Sequence, residues 1–166
     1  MHLARRAWCR TYQTVFRIAL PVLPYTEPRI LEHAEDVPAV LQKRSIQKVL
    51  IVTDPGIARL GLTAPLERAL TAQGIGVTVY AETRMNPTVS NVEEAASLYR
   101  ENACQAIIGF GGGSAMDCAK GVGARIAQPN KPINKMRGLL RVHRLLPLLI
   151  AVPTTAGTGS EVTLAA

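Results

Sequence analysis

Apolar and polar positions along the chain alternate between a helical period and continuous runs, and the switches between them mark eight elements. Val37, Val40 and Leu41 follow Asp36, a residue able to cap, at helical spacing with Pro38 tolerated in the first turn, which predicts a short helix. The run Lys48 to Asp54 is β-branched and aliphatic between its charged ends, as expected of a strand buried on both faces of a parallel sheet. Asp54-Pro55-Gly56 should then turn the chain. From Thr63 to Gln73, Leu66, Ala69 and Leu70 share a helical face, Pro65 sits in the first turn and Gly74 comes just past the end. Val77 to Tyr80 reads as a second strand. From Ser90 to Asn102, Val92, Ala95, Ala96 and Tyr99 form one apolar stripe, with Glu93, Glu94, Arg100 and Glu101 outside it. Gln105 to Phe110 is a third strand, Ser114 to about Ala127 a helix behind a glycine run, and Leu146 to Val152 a fourth strand after a long basic connection.

The order αβαβαβαβ predicts an α/β fold: a Rossmann-like, doubly wound parallel sheet with helices on both faces. In such sheets ligands bind beyond the carboxyl ends of the strands. Three polar or glycine-rich loops are expected there: Asp54, Gly111-Gly-Gly-Ser114, and Thr154-Thr-Ala-Gly-Thr-Gly-Ser160. Glycine lets backbone N–H groups approach a pyrophosphate, and the helix start behind it adds positive potential. The letters match neither GxGxxG, since Ser114 stands at its last position, nor a P-loop, nor the GxSxG of a nucleophile elbow. Structural roles compete for the same residues. Ser114 and Asp117 stand as S-x-x-D at a helix start, close to a capping box; Asp54 could cap the segment after it; and the last loop could be only a turn.

Composition narrows the alternatives. With 48% apolar and 19% charged residues the chain is globular rather than disordered. Cys9, Cys104 and Cys118 have no CxxC spacing, so neither a disulfide framework nor a zinc ribbon is indicated, and a reducing cytoplasm is the expected compartment. No apolar stretch reaches the roughly 20 residues of a membrane span. The net charge of +7 raises nucleic-acid binding, above all because Arg125, Lys131, Lys135, Arg137, Arg141 and Arg144 meet no acid between Asp117 and Glu161. Only 4% of residues are aromatic, which leaves few stacking platforms, so a solvated basic loop is the expectation. Residues 1–27 read as an extension. Arg5, Arg6, Arg10 and Arg17 among Trp8, Tyr12, Val15 and Phe16 have the character of a transit peptide or surface-seeking helix, or of a helix docking on its own or a neighbouring subunit.

Gly111-Gly-Gly-Ser-Ala-Met-Asp117-Cys-Ala-Lys120 resembles the GGGSxxDxAK signature of the iron-containing (group III) alcohol dehydrogenases, and Pro153-Thr-Thr-Ala-Gly-Thr-Gly-Ser-Glu161 resembles their second signature, both without a gap. Val52-Thr-Asp54 and Asn86-Pro-Thr88 fall where the family carries similar segments. The resemblance implies that residues 28–166 are the family's N-terminal dinucleotide-binding domain, without the helical domain that normally comes next. It implies NAD as cofactor, with Gly112, Gly113, Ser114 and Asp117 around the pyrophosphate and Thr154, Thr155, Thr158, Ser160 and Thr163 on the other side. Asn86 would sit near the adenosine ribose, and Asp54 would accept from the ribose hydroxyls and repel a 2′-phosphate. The resemblance also implies a small alcohol or carbonyl substrate, Fe²⁺ in the full-length form and a homo-oligomer. Glycerol dehydrogenase, dehydroquinate synthase and hydroxyacid–oxoacid transhydrogenase are related alternatives; a non-catalytic nucleotide-binding or subunit-interaction module is another.

The family's metal is held by one aspartate and three histidines beyond the second signature. Here His2, His33 and His143 are far apart and form no i, i+4 pair, so neither a metal ligand nor a catalytic residue is assigned. The ending Glu161 to Ala166 reads as a truncation within the domain, and the expectation is weak NAD binding without turnover of alcohol.

Overall fold

The computed structural model describes residues 28–136, 138, 141, 142 and 144–160, together with Arg10, Thr11 and Thr14. The chain divides into two compact units, Met1–Ile30 and Leu31–Ala166. In the first, Arg10, Thr11 and Thr14 are helical, and the Thr14 hydroxyl donates to the Arg10 carbonyl at 2.9 Å. The other residues named for the basic extension lie outside the described set.

In the second unit a 3-10 turn, Ala34–Asp36, leads into α1 (Val37–Gln42), followed by β1 (Lys48–Val52), α2 (Pro55–Arg59), α3 (Ala64–Ala72), β2 (Gly76–Tyr80), α4 (Val89–Glu101), β3 (Ala106–Gly111), α5 (Gly113–Ala127), a 3-10 turn at Ile133–Lys135 and β4 (Leu148–Pro153). The sheet has the order β2-β1-β3-β4 with every pair parallel. Alternation along β1 divides the core in two. Leu50 and Val52 pack with α4 and α5 through Val92, Ala96, Cys118 and Val122, while Val49 and Ile51 pack with α1 and α3 through Val37, Leu41, Leu66 and Leu70. This is the doubly wound sheet that the element order predicts.

Three local expectations are corrected. Asp54-Pro55-Gly56 is not a bare turn but the start of α2, because Asp54 caps it and Pro55 pre-sets its first residue. β4 begins at Leu148 rather than Leu146, since Pro147 has no N–H for a ladder and Leu145 is 93% exposed. α5 begins at Gly113 with Gly112 as its N-cap, so the capping role considered for Ser114 is not realised. In the basic connection Lys135, Arg141 and Arg144 are exposed, as a solvated loop implies, and Lys131 Nζ donates to the Arg141 carbonyl at 2.7 Å; Arg125 lies on α5, its Nε paired with Glu93 on α4 at 2.7 Å.

Candidate functional site

The strand order places a switch point between β1 and β3. After β1 the chain crosses one face of the sheet through α3 to reach β2; after β3 it crosses the other face through α5 to reach β4. The two loops therefore leave the sheet in opposite directions and open a crevice at its carboxyl edge.

Asp54 stands on one lip. Its Oδ1 accepts from the N–H groups of Gly56 (2.8 Å) and Ile57 (3.0 Å), which fixes the carboxylate against the start of α2. Its Oδ2 faces the other lip, for a Cβ placed on Gly111 would stand 3.3 Å from it. Gly111 itself has φ +144°, and that Cβ would also come to 3.0 Å from the Ala115 Cβ, so backbone and space both require glycine there. The capping role considered for Asp54 is thus real and occupies only one of its two oxygens.

The glycine run meets the loop after β4. Thr154 N–H donates to the Gly111 carbonyl at 2.9 Å. A Cβ on Gly112 would lie 3.3 Å from Thr155 Oγ1, and one on Gly113 would lie 3.2 Å from Ser160 Oγ and 3.4 Å from Thr158 Cβ. Two of the three loops thus touch, the third reaches them through Asp54, and the lack of a Cβ at residues 112 and 113 is what lets the hydroxyl-bearing loop after β4 approach so closely. The N-cap of α5 is Gly112, which has no side chain to take the opening amides of this fifteen-residue helix.

Asn86 lies in the loop after β2, the outer strand on this side, and so flanks the crevice rather than closing it; its φ of +57° is a backbone state that asparagine tolerates. Thr163 lies outside the described residues. Asp117 is on α5, paired with Lys120 at 3.6 Å. Sequence pattern did not single out this pair, although its i, i+3 spacing was there to be seen. Nor did it point to Gly56 and Ile57 as the donors that orient Asp54.

Behind the crevice, the hydroxyls of Thr53 and Thr83 are buried without a nitrogen or oxygen partner. Burial pushes the Cys118 thiol up to about 11, while the neighbouring Thr83 hydroxyl pulls the other way. Cys118 is accordingly a neutral thiol at physiological pH rather than a nucleophile. Among the described residues no group of three or more His, Cys, Asp or Glu side chains is placed to hold a metal ion, and no helix is long and apolar enough to cross a membrane.

The sequence model of the iron-containing alcohol dehydrogenase family matches residues 30–166. The chain belongs to that family. Among other iron-containing alcohol dehydrogenases and their relatives it is 41% identical over 116 residues to a sulfoacetaldehyde reductase of Bilophila wadsworthia, covering 70% of this chain and 30% of that protein. Of solved structures, an alcohol dehydrogenase from Oenococcus oeni superposes with a TM-score of 0.72 at 35% identity, over 77% of this chain and 34% of that one. A sulfoacetaldehyde reductase from Bifidobacterium kashiwanohense, solved in complex with NAD⁺, gives 0.70 at 30% identity, over 84% and 38%. The chain spans about a third of the length of these relatives.

Proposed function

We propose that residues 28–166 form the NAD-binding part of a metal-dependent alcohol dehydrogenase acting on a small alcohol or carbonyl compound. The observation that carries this reading is the close meeting of Gly112 and Gly113 with Thr155, Thr158 and Ser160 at the start of α5, a contact that only residues without a Cβ allow. An anion at that helix start would receive backbone N–H groups and the helix dipole together.

In this reading Thr154, Thr155, Thr158, Ser160 and Thr163 line the second side of the dinucleotide, Ser114 and Asp117 flank the pyrophosphate, and Asn86 approaches the adenosine ribose. Asp54 accepts hydrogen bonds from the ribose hydroxyls through Oδ2, the oxygen that α2 leaves unused. A carboxylate held there repels a 2′-phosphate and selects NAD over NADP. When bound, NAD supplies the hydride acceptor for alcohol oxidation. The chain's own residues bind and orient it; the described residues offer no ligand set for Fe²⁺, so no step is assigned to a metal. We further propose a cytoplasmic setting, from the cysteine usage, and a homo-oligomeric full-length form, by analogy with the family.

Fluorescence titration of the 166-residue chain with NADH tests this. Asp54→Ala and Asp117→Ala are each expected to weaken binding about tenfold, the loss of one charged hydrogen-bonding group. Asp54→Asn should keep the α2 cap and narrow the preference for NADH over NADPH. Unchanged affinity in both alanine variants would remove the site assignment.

A further inference from the structure

We propose that Lys120 is a positioning residue for the dinucleotide, acting through Asp117 and not on the ligand itself; this rests on the NAD-binding reading above. A carboxylate beside a pyrophosphate is an electrostatic problem. Asp117 lies four residues beyond the first residue of α5, about 6 Å along the axis, and an uncompensated negative charge there would offset the half-charge that the helix start offers a phosphate. Lys120 Nζ stands 3.6 Å from Asp117 Oδ1.

Burial distinguishes this pair from an ordinary surface pair. The lysine side chain is 15% exposed and the carboxylate 34%, so the pair is only partly open to solvent and its attraction is screened less than that of a fully exposed pair. Lys120 is also seven residues into the helix, about 10 Å from its start, and its long side chain reaches back toward that start to stand beside the acid. What the cation does there is neutralise and aim the acid. Asp117 can then present oxygen acceptors to the ligand's hydroxyl groups without repelling its phosphates.

The test is a double-mutant cycle on the 166-residue chain, comparing the wild type with Lys120→Met, Asp117→Ala and the double variant by NADH titration, with Asp54→Ala alongside. Lys120→Met should weaken NADH binding about tenfold in the wild-type background, as expected for exposing a like charge at this range, and less than about twofold where Asp117 is already alanine. Lys120→Arg should recover most of the affinity, and the penalty of Lys120→Met should shrink in high salt. An equal loss in both backgrounds would mean direct ligand contact or a fold defect and overturns the proposal, as does no loss in either. If Lys120→Met fails to fold by circular dichroism, Lys120→Gln takes its place in the same cycle, with the same outcomes deciding. Failure of the underlying reading looks different: Asp54→Ala and Asp117→Ala would both bind NADH like the wild type, or the wild type would show no saturable binding.

Discussion

Two helices begin at the same crevice and complete their first turns in opposite ways. α2 is five residues long, and Asp54 takes its opening amides with a side-chain oxygen. α5 is fifteen residues long and starts from a glycine N-cap, which has no side chain of its own to bond the first turn. A short helix closed by its own N-cap acid has little left to offer a ligand; a long one begun by glycine does not spend its first turn on its own N-cap side chain. The difference divides the labour of the site, with α2 serving to orient Asp54 and α5 serving to receive an anion.

The comparison breaks most severely at Gly113. Gly113→Val would press on Ser160 and Thr158, which lie 3.2 and 3.4 Å from the Cβ position, and we expect NADH affinity to fall about 100-fold, the loss of two charge-assisted hydrogen bonds. Circular dichroism and Tm should stay near the wild-type values, because the substitution meets an exposed loop rather than the core. A variant that unfolds would instead show that the glycine serves the fold.

Ser114→Ala sharpens the same contrast with a smaller effect. Were Ser114 a cap, its loss would cost about 1 kcal/mol of stability. At the second position of α5 with no capping bond, it should leave stability within about 0.5 kcal/mol while weakening NADH about threefold. Chemical denaturation and NADH titration on one preparation separate the two roles.

A further effect concerns how α5 is anchored on its buried side. The Cys118 thiol, raised by burial from its ordinary 9 to about 11, binds more protons in the folded than in the unfolded chain between those values. Stability contributed by this group is therefore complete below pH 9 and lost as pH rises through 11. Tm measured from pH 8 to 11 should fall, and fall less steeply for Cys118→Ala. Equal slopes would contradict the burial.

Much of this was legible in the sequence, for physical reasons that differ by element. The β-branched run at Val49 to Val52 could only be a strand buried on both faces, and the alternation of strands with helices implied the switch point and hence where the loops gather. The signatures then named the residues of those loops. Local competition hid the rest. A glycine N-cap one residue before the first helical position displaced Ser114 from a role that its spacing to Asp117 suggested. Asp-Pro-Gly is as good a helix start as a turn, and only the length of the segment after it decides. Arg125 lacked an acid in its own segment because its partner, Glu93, is 32 residues away on α4, a distance that local pattern cannot span. The second oxygen of Asp54 acquires meaning only once Gly111 stands across from it.

The central claim is that a dinucleotide's phosphates sit at the glycine-led start of α5. Backbone amide chemical shifts of the ¹⁵N-labelled chain, followed through an NADH titration, test it most directly. The account predicts the largest perturbations at Gly112, Gly113 and Ser114, with Thr155 and Ser160 next. Shifts confined to the basic connection around Lys131 to Arg144, with the glycine run unmoved, would contradict it.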